Sequence, residues 1–348
     1  MRIAVDVMGG DHGCAVVIEG AKRALESGSN ITALHLVGRE SEIHAALAHA
    51  GLRDRRVHVV HASDFLTMDD KPARALRKKR DSSIARAIGL IHDGKADAAV
   101  SLGNTGGIFA AATIKLGRIS GVDRGGIATV IPTPDHRFVL LDSGANIECK
   151  PIHLAHYAVM GSIYAREVLG YKSPRVGILS IGTEDTKGNE LTLGAFGLCQ
   201  QIDIDFIGNI EGHDLFKGGV DVVVCDGFVG NIVLKTCESL AGAIFSMLRS
   251  ELNKNPKRQL GALLVHNAFR GIKRRLDPEL HAGAPLLGFN GAVIKTHGSA
   301  RERAVMNAIR IAAETVEHHV NKIISREIAH ANDRLAAHVS IAPTPVIA

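Results

Sequence analysis

The stretch VVVCDGFVGNIVLKT, Val222 to Thr236, decides the fold of this chain. Val222 to Cys225 is an unbroken apolar run, rich in β-branched residues, of the kind that forms a buried strand. A helical apolar pattern resumes at Ile232. Between the two lie Asp226, Gly227, Gly230 and Asn231, which are small, flexible or hydrogen-bonding. Asp caps helices, and Gly lets a backbone wrap closely around a ligand. A strand that passes through such residues straight into a helix is a building unit of α/β proteins with parallel strands.

The same alternation extends along most of the chain. Strands are predicted at Arg2–Val7, Ala33–Val37, Val57–Val60, Ala98–Ser101, Ile127–Ile131, Phe138–Leu141, Val176–Ser180, Phe206–Gly208, Val222–Cys225 and Val293–Lys295, with helices filling most gaps. The rhythm breaks between Ile232 and Leu276, where two long helical segments meet near Asn255-Pro256 with no strand between them. This reads as a helical hairpin projecting from the sheet. A last helix is predicted from Ala300 to Arg334, with Val305, Ile309, Ala312, Val316, Val320 and Ile323 on one face. The expected organisation is one α/β domain over residues 1–335, with the hairpin inserted at about 232–276, then a flexible tail over 336–348.

The 348 residues, 46% of them hydrophobic, are enough to bury a large core. Five Cys without a CxxC pair indicate neither a zinc site nor a disulfide framework, which points to a reducing cytoplasm. The first residues already read as a strand, not a signal peptide, and no apolar run approaches the roughly 20 residues of a membrane span. The net charge of +5 is local. Arg249 to Arg275 holds eight Lys/Arg and one acid, so the remainder is slightly acidic. With no Trp and 4% aromatics there are few base-stacking platforms, and nucleic acid is not an expected partner.

Several strand-to-helix junctions share the chemistry of the opening stretch. They are DVMGGDHG (Asp6–Gly13), SLGNTGG (Ser101–Gly107), DSGANIE (Asp142–Glu148) and GTEDTKGNE (Gly182–Glu190). In open parallel sheets ligands bind at the carboxyl ends of strands, where glycine loops and helix N-termini offer free N–H donors to an anion. Phosphate is the natural guest. Lys187 is the cation within these loops besides His12, and Asn104, Asn146, Asn189 and Asn231 are neutral donors. Gly and Asn are also ordinary turn residues, so it is their recurrence after four strands that marks a site. Neither GxGxxG nor GxxxxGK[ST] occurs at these loops, which disfavours a nicotinamide or ATP enzyme. Asp6, Asp11, Asp142, Asp185 and Asp226 read as caps and orienting groups; a Mg²⁺ site is the minority reading. Cys225 is an acyl-carrying nucleophile or, more commonly for such a position, a small buried apolar residue. His297, in IKTHGS, is an acid, base or phosphate ligand, or else a cap.

Two further segments lie outside the loops. KPARALRKKR, Lys71 to Arg80, is a solvated face or a dock for an acidic partner. In the hairpin, Leu263, Leu264, Phe269 and Ile272 among flanking cations suit a dimer core, a membrane-surface helix, or both.

Taken together, MRIAVDVMGGDHG, KPARALRKKRDSS, SLGNTGG, LLDSGAN, SPRVGILSIGTEDTKGNELT, DVVVCDGFVGN and IKTHGS resemble the bacterial phosphate acyltransferase family, PlsX. The resemblance runs from Met1 to about the last helix. Gly13-Cys14 and Ser143 depart from the family's commoner residues. The resemblance implies a three-layer α/β/α sandwich with a mostly parallel sheet, like isopropylmalate dehydrogenases and phosphotransacetylases, assembled as a homodimer. It implies transfer of a long acyl chain from acyl carrier protein to inorganic phosphate, giving acyl phosphate for phospholipid synthesis, with no cofactor or metal.

By that resemblance Lys187 and Asn231 are the expected catalytic residues. Asn104, Gly106, Asp142, Asn146, Asp226, Gly230 and His297 are expected around the substrates. Phosphate is itself the nucleophile and the thiol leaving group is a weak base, so position and charge stabilisation are the main requirements. Arg77, Lys78, Lys257, Arg258, Leu263 and Leu264 are expected to meet the acidic carrier or an anionic membrane at the inner face of the plasma membrane. There the product would pass to a membrane glycerol-3-phosphate acyltransferase. Two rival readings are a short-chain phosphotransacetylase using coenzyme A and a basic binding protein without turnover.

Overall fold

The computed structural model describes residues 1–341 except Ser29, Met68, Leu276, Pro278, Leu280 and His281. The chain begins β1 (Arg2–Asp6), α1 (Gly13–Glu26), β2 (Ala33–Gly38), α2 (Glu40–Ala50), β3 (Val57–His61), α3 (Pro72–Lys78), α4 (Ser83–His92), β4 (Ala98–Ser101) and α5 (Thr105–Lys115). It continues with β5 (Gly126–Ile127), β6 (Thr129–Pro132), β7 (Arg137–Leu141), α6 (Pro151–Glu167), β8 (Arg175–Leu179), α7 (Glu190–Cys199), β9 (Asp205–Ile210) and β10 (Val222–Val224). The remainder is α8 (Gly227–Leu252), α9 (Pro256–Leu264), α10 (His266–Arg275), β11 (Ala284–Leu287), β12 (Ala292–Lys295), α11 (Glu302–Glu317) and α12 (Val320–Ile341).

The strands form two sheets. One has the order β3-β2-β1-β4-β12-β11-β5, the other β6-β7-β10-β8-β9. β3 to β12 of the first and β7 to β9 of the second run parallel; β11 lies antiparallel between β12 and β5, and β6 is antiparallel to β7. Helices cover both faces of the larger sheet. Val17, Ile18, Ile43, Val305 and Ile309 pack on one side, and Leu76, Ile84, Ile88 and Ile108 on the other. On the smaller sheet α6 is buried along most of its length, from His153 to Ala165, between β7, β8, β10, α7 and α12. This is the α/β sandwich expected, with its sheet divided in two.

Four details differ from the sequence reading. The single strand predicted at Ile127–Ile131 is two, because the chain crosses from one sheet to the other at fully buried Ala128. β11 was not anticipated; it is four residues long and contains Pro285, which cannot donate to a ladder. The predicted last helix is α11 and α12, broken where His319 takes φ 52. The apolar stripe is continuous in sequence but serves two cores: Val305 and Ile309 face the larger sheet, Val320 and Ile324 the smaller. α12 also runs on to Ile341, so residues 336–341 are helical; 342–348 lie outside the described residues.

The hairpin begins inside the α/β body. α8 starts at Gly227, five residues before its expected start, because the Asp226 carboxylate accepts the N–H groups of Phe228 and Val229, both at 2.9 Å. The return arm is two helices, α9 and α10. α8, at 26 residues with mean hydropathy 1.3 over its most apolar 18, is long and apolar enough by length and composition to cross a membrane, contrary to the sequence reading. Its first turn is nevertheless anchored in the protein through buried Gly227 and Gly230.

Candidate active site

The Gly- and Asn-rich loops all follow the carboxyl ends of parallel strands. On the larger sheet they follow β1, β4 and β12; on the smaller they follow β7, β8 and β10. In the larger sheet the chain reverses its direction of strand addition at this edge, between β1 and β4, where crevices open in doubly wound folds; in the smaller sheet β10 is added last, between β7 and β8.

The smaller sheet carries the tighter junction. Asp142 is fully buried, and its carboxylate accepts N–H groups of Ile127 (3.0 Å), Gly144 (3.1 Å), Ala145 (3.0 Å) and Asn146 (2.8 Å) and the Asn146 side-chain amide (3.0 Å). Burial pushes the carboxyl up, and the donors oppose this because each favours the charged form. The Asn146 amide nitrogen also lies 2.7 Å from the Gly125 carbonyl and 2.9 Å from the Tyr157 hydroxyl; with Asp142 these are three neighbours that share its two N–H donors. The Asp142 carboxylate and the Asn146 amide N–H groups, expected around the substrate, thus build the turn.

The start of α8 is seated on that turn. A Cβ on Gly230 would lie 2.0 Å from the Asp142 carbonyl oxygen, so a residue without a side chain is required. Gly144, at φ 135, has Asn231 as its neighbour: a Cβ there would lie 3.4 Å from both the Asn231 Cβ and Oδ1. Asn231 itself is exposed to the crevice.

Ser180, Ile181, Gly188, Asn189, Thr192, Cys225, Asp226 and Val229 line a cavity of about 250 Å³ with Leu154 and Leu179. Lys187 flanks it, held by its backbone: its carbonyl accepts the Ser180 hydroxyl (3.2 Å) and the Asn209 amide (3.3 Å). The Lys187 side chain is exposed and forms no ion pair among the described residues. Cys225 is buried, and burial, with Asp142 and Asp226 nearby, pushes its thiol well up. Both features are those of a small buried residue that ends an apolar strand.

On the larger sheet the Asp6 carboxylate accepts the Ser101 hydroxyl (2.7 Å) and the Met8 N–H (3.1 Å), tying the first loop to SLGNTGG. Asn104 caps α5 by accepting the Gly107 N–H (3.0 Å). The ring of Pro72, first in α3, lies 2.7 Å from where a Cβ on Gly106 would stand, so the basic helix borders this loop. His297 lies beside Gly298, whose carbonyl accepts the Asp11 N–H (2.8 Å).

α8 connects the two sheets' loops. Asn231, Lys235 and Glu238 are four and three residues apart, hence on one face. Glu238 pairs with Lys235 at 2.7 Å and approaches His297 at 3.5 Å. These two partners, His297 first, hold the Glu238 carboxyl down at about 2. Lys295, last in β12, is partly buried. Burial and then Lys235 lower its amine to about 8, with Glu238 opposing. Lys235, Glu238 and Lys295 escaped the sequence reading. The signal for the first two was their spacing from Asn231; for Lys295 there was only a Lys ending an apolar strand.

Farther along, one exposed face of α8 carries an open depression, lined by Asn231, Ile232, Lys235, Thr236, Ser239, Leu240 and Ala243. Arg77 and Lys78 are exposed on α3, whereas Lys79 turns inward to Asp70 at 2.6 Å. At the hairpin tip Leu263 and Leu264 are 71% and 80% exposed, and Arg258 pairs with Glu251 at 2.7 Å. Among the described residues no group of three metal-ligating side chains occurs.

Comparison with known proteins fits this arrangement. The sequence profile of the fatty acid synthesis protein family matches residues 1–323. A phosphate acyltransferase from Pelotomaculum thermopropionicum is 48% identical over 329 residues, covering 94% of this chain and 95% of the relative. The chain belongs to the phosphate acyltransferase family. Family membership makes it an acyltransferase of fatty acid and phospholipid synthesis. Among solved structures, a phosphotransacetylase from Streptococcus pyogenes matches with TM-score 0.61 at 18% identity, covering 91% of this chain and 94% of the other. A branched-chain phosphotransacylase from Enterococcus faecalis matches with TM-score 0.58 at 15% identity, covering 92% and 100%. At these identities the likeness is one of fold, and it is the fold the sequence predicted.

Proposed function

We propose that this phosphate acyltransferase moves a long acyl chain from the pantetheine thiol of acyl carrier protein to inorganic phosphate. The observation that carries the reading is the seating of Gly230 and Asn231 on the Asp142–Asn146 turn, beside the cavity flanked by Lys187. Lys187 and the N–H groups of the loops hold phosphate. Asn231 donates to the thioester oxygen as it becomes an oxyanion, with Asn104 available on the facing loop. A phosphate oxygen forms the new bond to the acyl carbon, the carbon–sulfur bond breaks, and the phosphate proton passes to the departing thiolate. A thiol of ordinary pKa near ~8.5 leaves without a strong acid.

The open, mostly apolar face of α8 supports a long-chain donor. It begins at Asn231 and continues along Ile232, Thr236, Leu240 and Ala243. At 1.5 Å per helical residue the distance from Asn231 to Ala243 is about 18 Å, close to the extended length of a sixteen-carbon chain. Exposed Arg77 and Lys78, next to the SLGNTGG loop through Pro72, suit an acidic carrier. The exposed apolar residues Ile244 and Met247 suit a homodimer contact. Leu263 and Leu264, with Lys257 and Arg258, suit reversible binding to the anionic inner face of the plasma membrane, where a glycerol-3-phosphate acyltransferase would take the product.

The test is release of free carrier thiol from palmitoyl-acyl carrier protein, with and without phosphate, followed by hydroxylamine trapping. Phosphate-dependent release with a trapped acyl group is the expected result. The fold shared with phosphotransacetylases favours one second reading, a short-chain enzyme using coenzyme A; activity on acetyl-coenzyme A and none on the carrier thioester would establish it instead.

A further inference from the structure

The cluster where α8 meets β12 has no place in the scheme above. Lys295 is in register with Ser101 on β4, at the carboxyl edge where the crevice opens. Val293 packs with the cluster on the α5 side of the sheet and Ile294 with the cluster on the other. Strand alternation therefore puts Lys295 on the α5 side, the side that carries the SLGNTGG loop.

Its ammonium makes no hydrogen bond or ion pair among the described residues. The nearby carboxylate, Glu238, is already engaged by Lys235 at 2.7 Å and faces His297 at 3.5 Å. Two lysines thus share one carboxylate, leaving an excess positive charge between a partly buried Lys295 and a Lys235 whose side chain is 51% exposed. Two ammonium groups facing one carboxylate repel each other, and an anion between the two lysines would offset that repulsion. Lys235 lies one helical turn beyond Asn231, so an anion held there is within about 5–6 Å, one turn, of the proposed oxyanion donor.

We propose that Lys295 and Lys235 form a second phosphate-binding centre of the crevice, on the larger sheet, separate from the Lys187 loop. The inference rests on the acyl-transfer reading, which brings two phosphate groups to this crevice. One is the inorganic phosphate nucleophile; the other is the phosphodiester that links pantetheine to its carrier. The lysines recognise the shared chemistry, a phosphate oxyanion, and Glu238 keeps Lys235 turned toward it.

The experiment is calorimetric titration of inorganic phosphate into the wild-type protein, Lys295→Met, Lys235→Met and Lys295→Arg, at constant ionic strength, each variant first checked by thermal melting. Each Met variant is expected to weaken phosphate binding about tenfold or more, and Lys295→Arg to retain most of it. A second arm compares turnover of acyl-4′-phosphopantetheine with acyl-pantetheine. If phosphate binding is unchanged but both Met variants lose the preference for the phosphorylated arm, the centre holds the phosphodiester, and the inference stands with that occupant. If neither quantity moves in folded variants, it is overturned. If the wild-type protein binds no phosphate, the acyl-transfer reading itself fails, which the wild-type titration alone reveals.

Discussion

Gly230 approaches Asp142 so closely that a Cβ on it would lie 2.0 Å from the Asp142 carbonyl oxygen. The first turn of α8 and the turn after β7 are therefore locked backbone to backbone, and the position of Asn231 follows from that lock. The neighbour is main chain held by the Asp142 hydrogen bonds, not the end of a flexible side chain, so it has little freedom to retreat.

Gly230→Ala is accordingly expected to destabilise the protein by about 1–3 kcal/mol and to depress turnover further by shifting Asn231. Gly242, on the same helix, has open space around its would-be Cβ. Gly242→Ala should stabilise by about 0.5–1 kcal/mol, since alanine is the better helix former. Urea midpoints and turnover measured on both proteins check the pair; equal behaviour would mean the lock is absent.

Lys187→Ala and Asn231→Ala should separate stability from rate. Both side chains are exposed, so each substitution should leave the urea midpoint nearly unchanged. Turnover should fall ~10²-fold or more, the usual effect of removing one positioned donor to a developing charge. Near-normal rates from a folded variant would remove that residue from the mechanism.

How far the sequence carried this reading can be judged from individual residues. Val222–Val224, the cap at Asp226 and the loops after β1, β4, β7 and β8 were legible because strand patterning and capping chemistry are local. The crossing at Ala128 and the break at His319 were not, because each depends on which of two cores a continuous apolar stripe joins. The charge cluster was hidden for another reason. Glu238 and His297 are far apart in sequence and meet because α8 leaves the smaller sheet and passes the loop of the larger one. For Asp142 and Asn146 only the coordinates reveal that the carboxylate of the one and the amide N–H groups of the other build the turn after β7.

Glu238 gives stability a definite pH dependence. Its folded carboxyl lies at about 2, depressed from 4.5 by His297 and Lys235. A depressed acid stabilises the fold fully above its unfolded value and loses that contribution as pH falls through the interval down to its folded value. With a side chain still 31% exposed, screening limits the effect to about 1–2 kcal/mol. Wild type should therefore exceed Glu238→Gln by that amount at pH 7, and the gap should close between about pH 5 and pH 2. A gap constant in denaturant titrations across this range would show that Glu238 stabilises by packing instead.

Arg77 and Lys78 carry the prediction about the carrier. Arg77→Glu with Lys78→Glu should raise the apparent KM for acyl carrier protein several-fold and flatten its dependence on salt, because steering between exposed charges is screened over about 10 Å at 0.1 M. Steady-state kinetics at two ionic strengths measure both. The KM for phosphate should not move, and an unchanged salt dependence would transfer the docking role to the hairpin cations.

The hairpin tip can be tested without turnover. Leu263 and Leu264 are largely exposed, a poor arrangement in water unless something apolar meets them. Partial insertion of two leucines would contribute a few kcal/mol at most, at about 25 cal/mol per Å² of apolar surface, so binding to vesicles should be reversible and aided by Lys257 and Arg258. Flotation with phosphatidylglycerol-containing vesicles should recover the wild-type protein and lose most of the Leu263→Glu, Leu264→Glu variant. High salt should weaken wild-type binding through the cations. Equal flotation of both proteins would place the membrane contact elsewhere and leave these leucines to a protein partner.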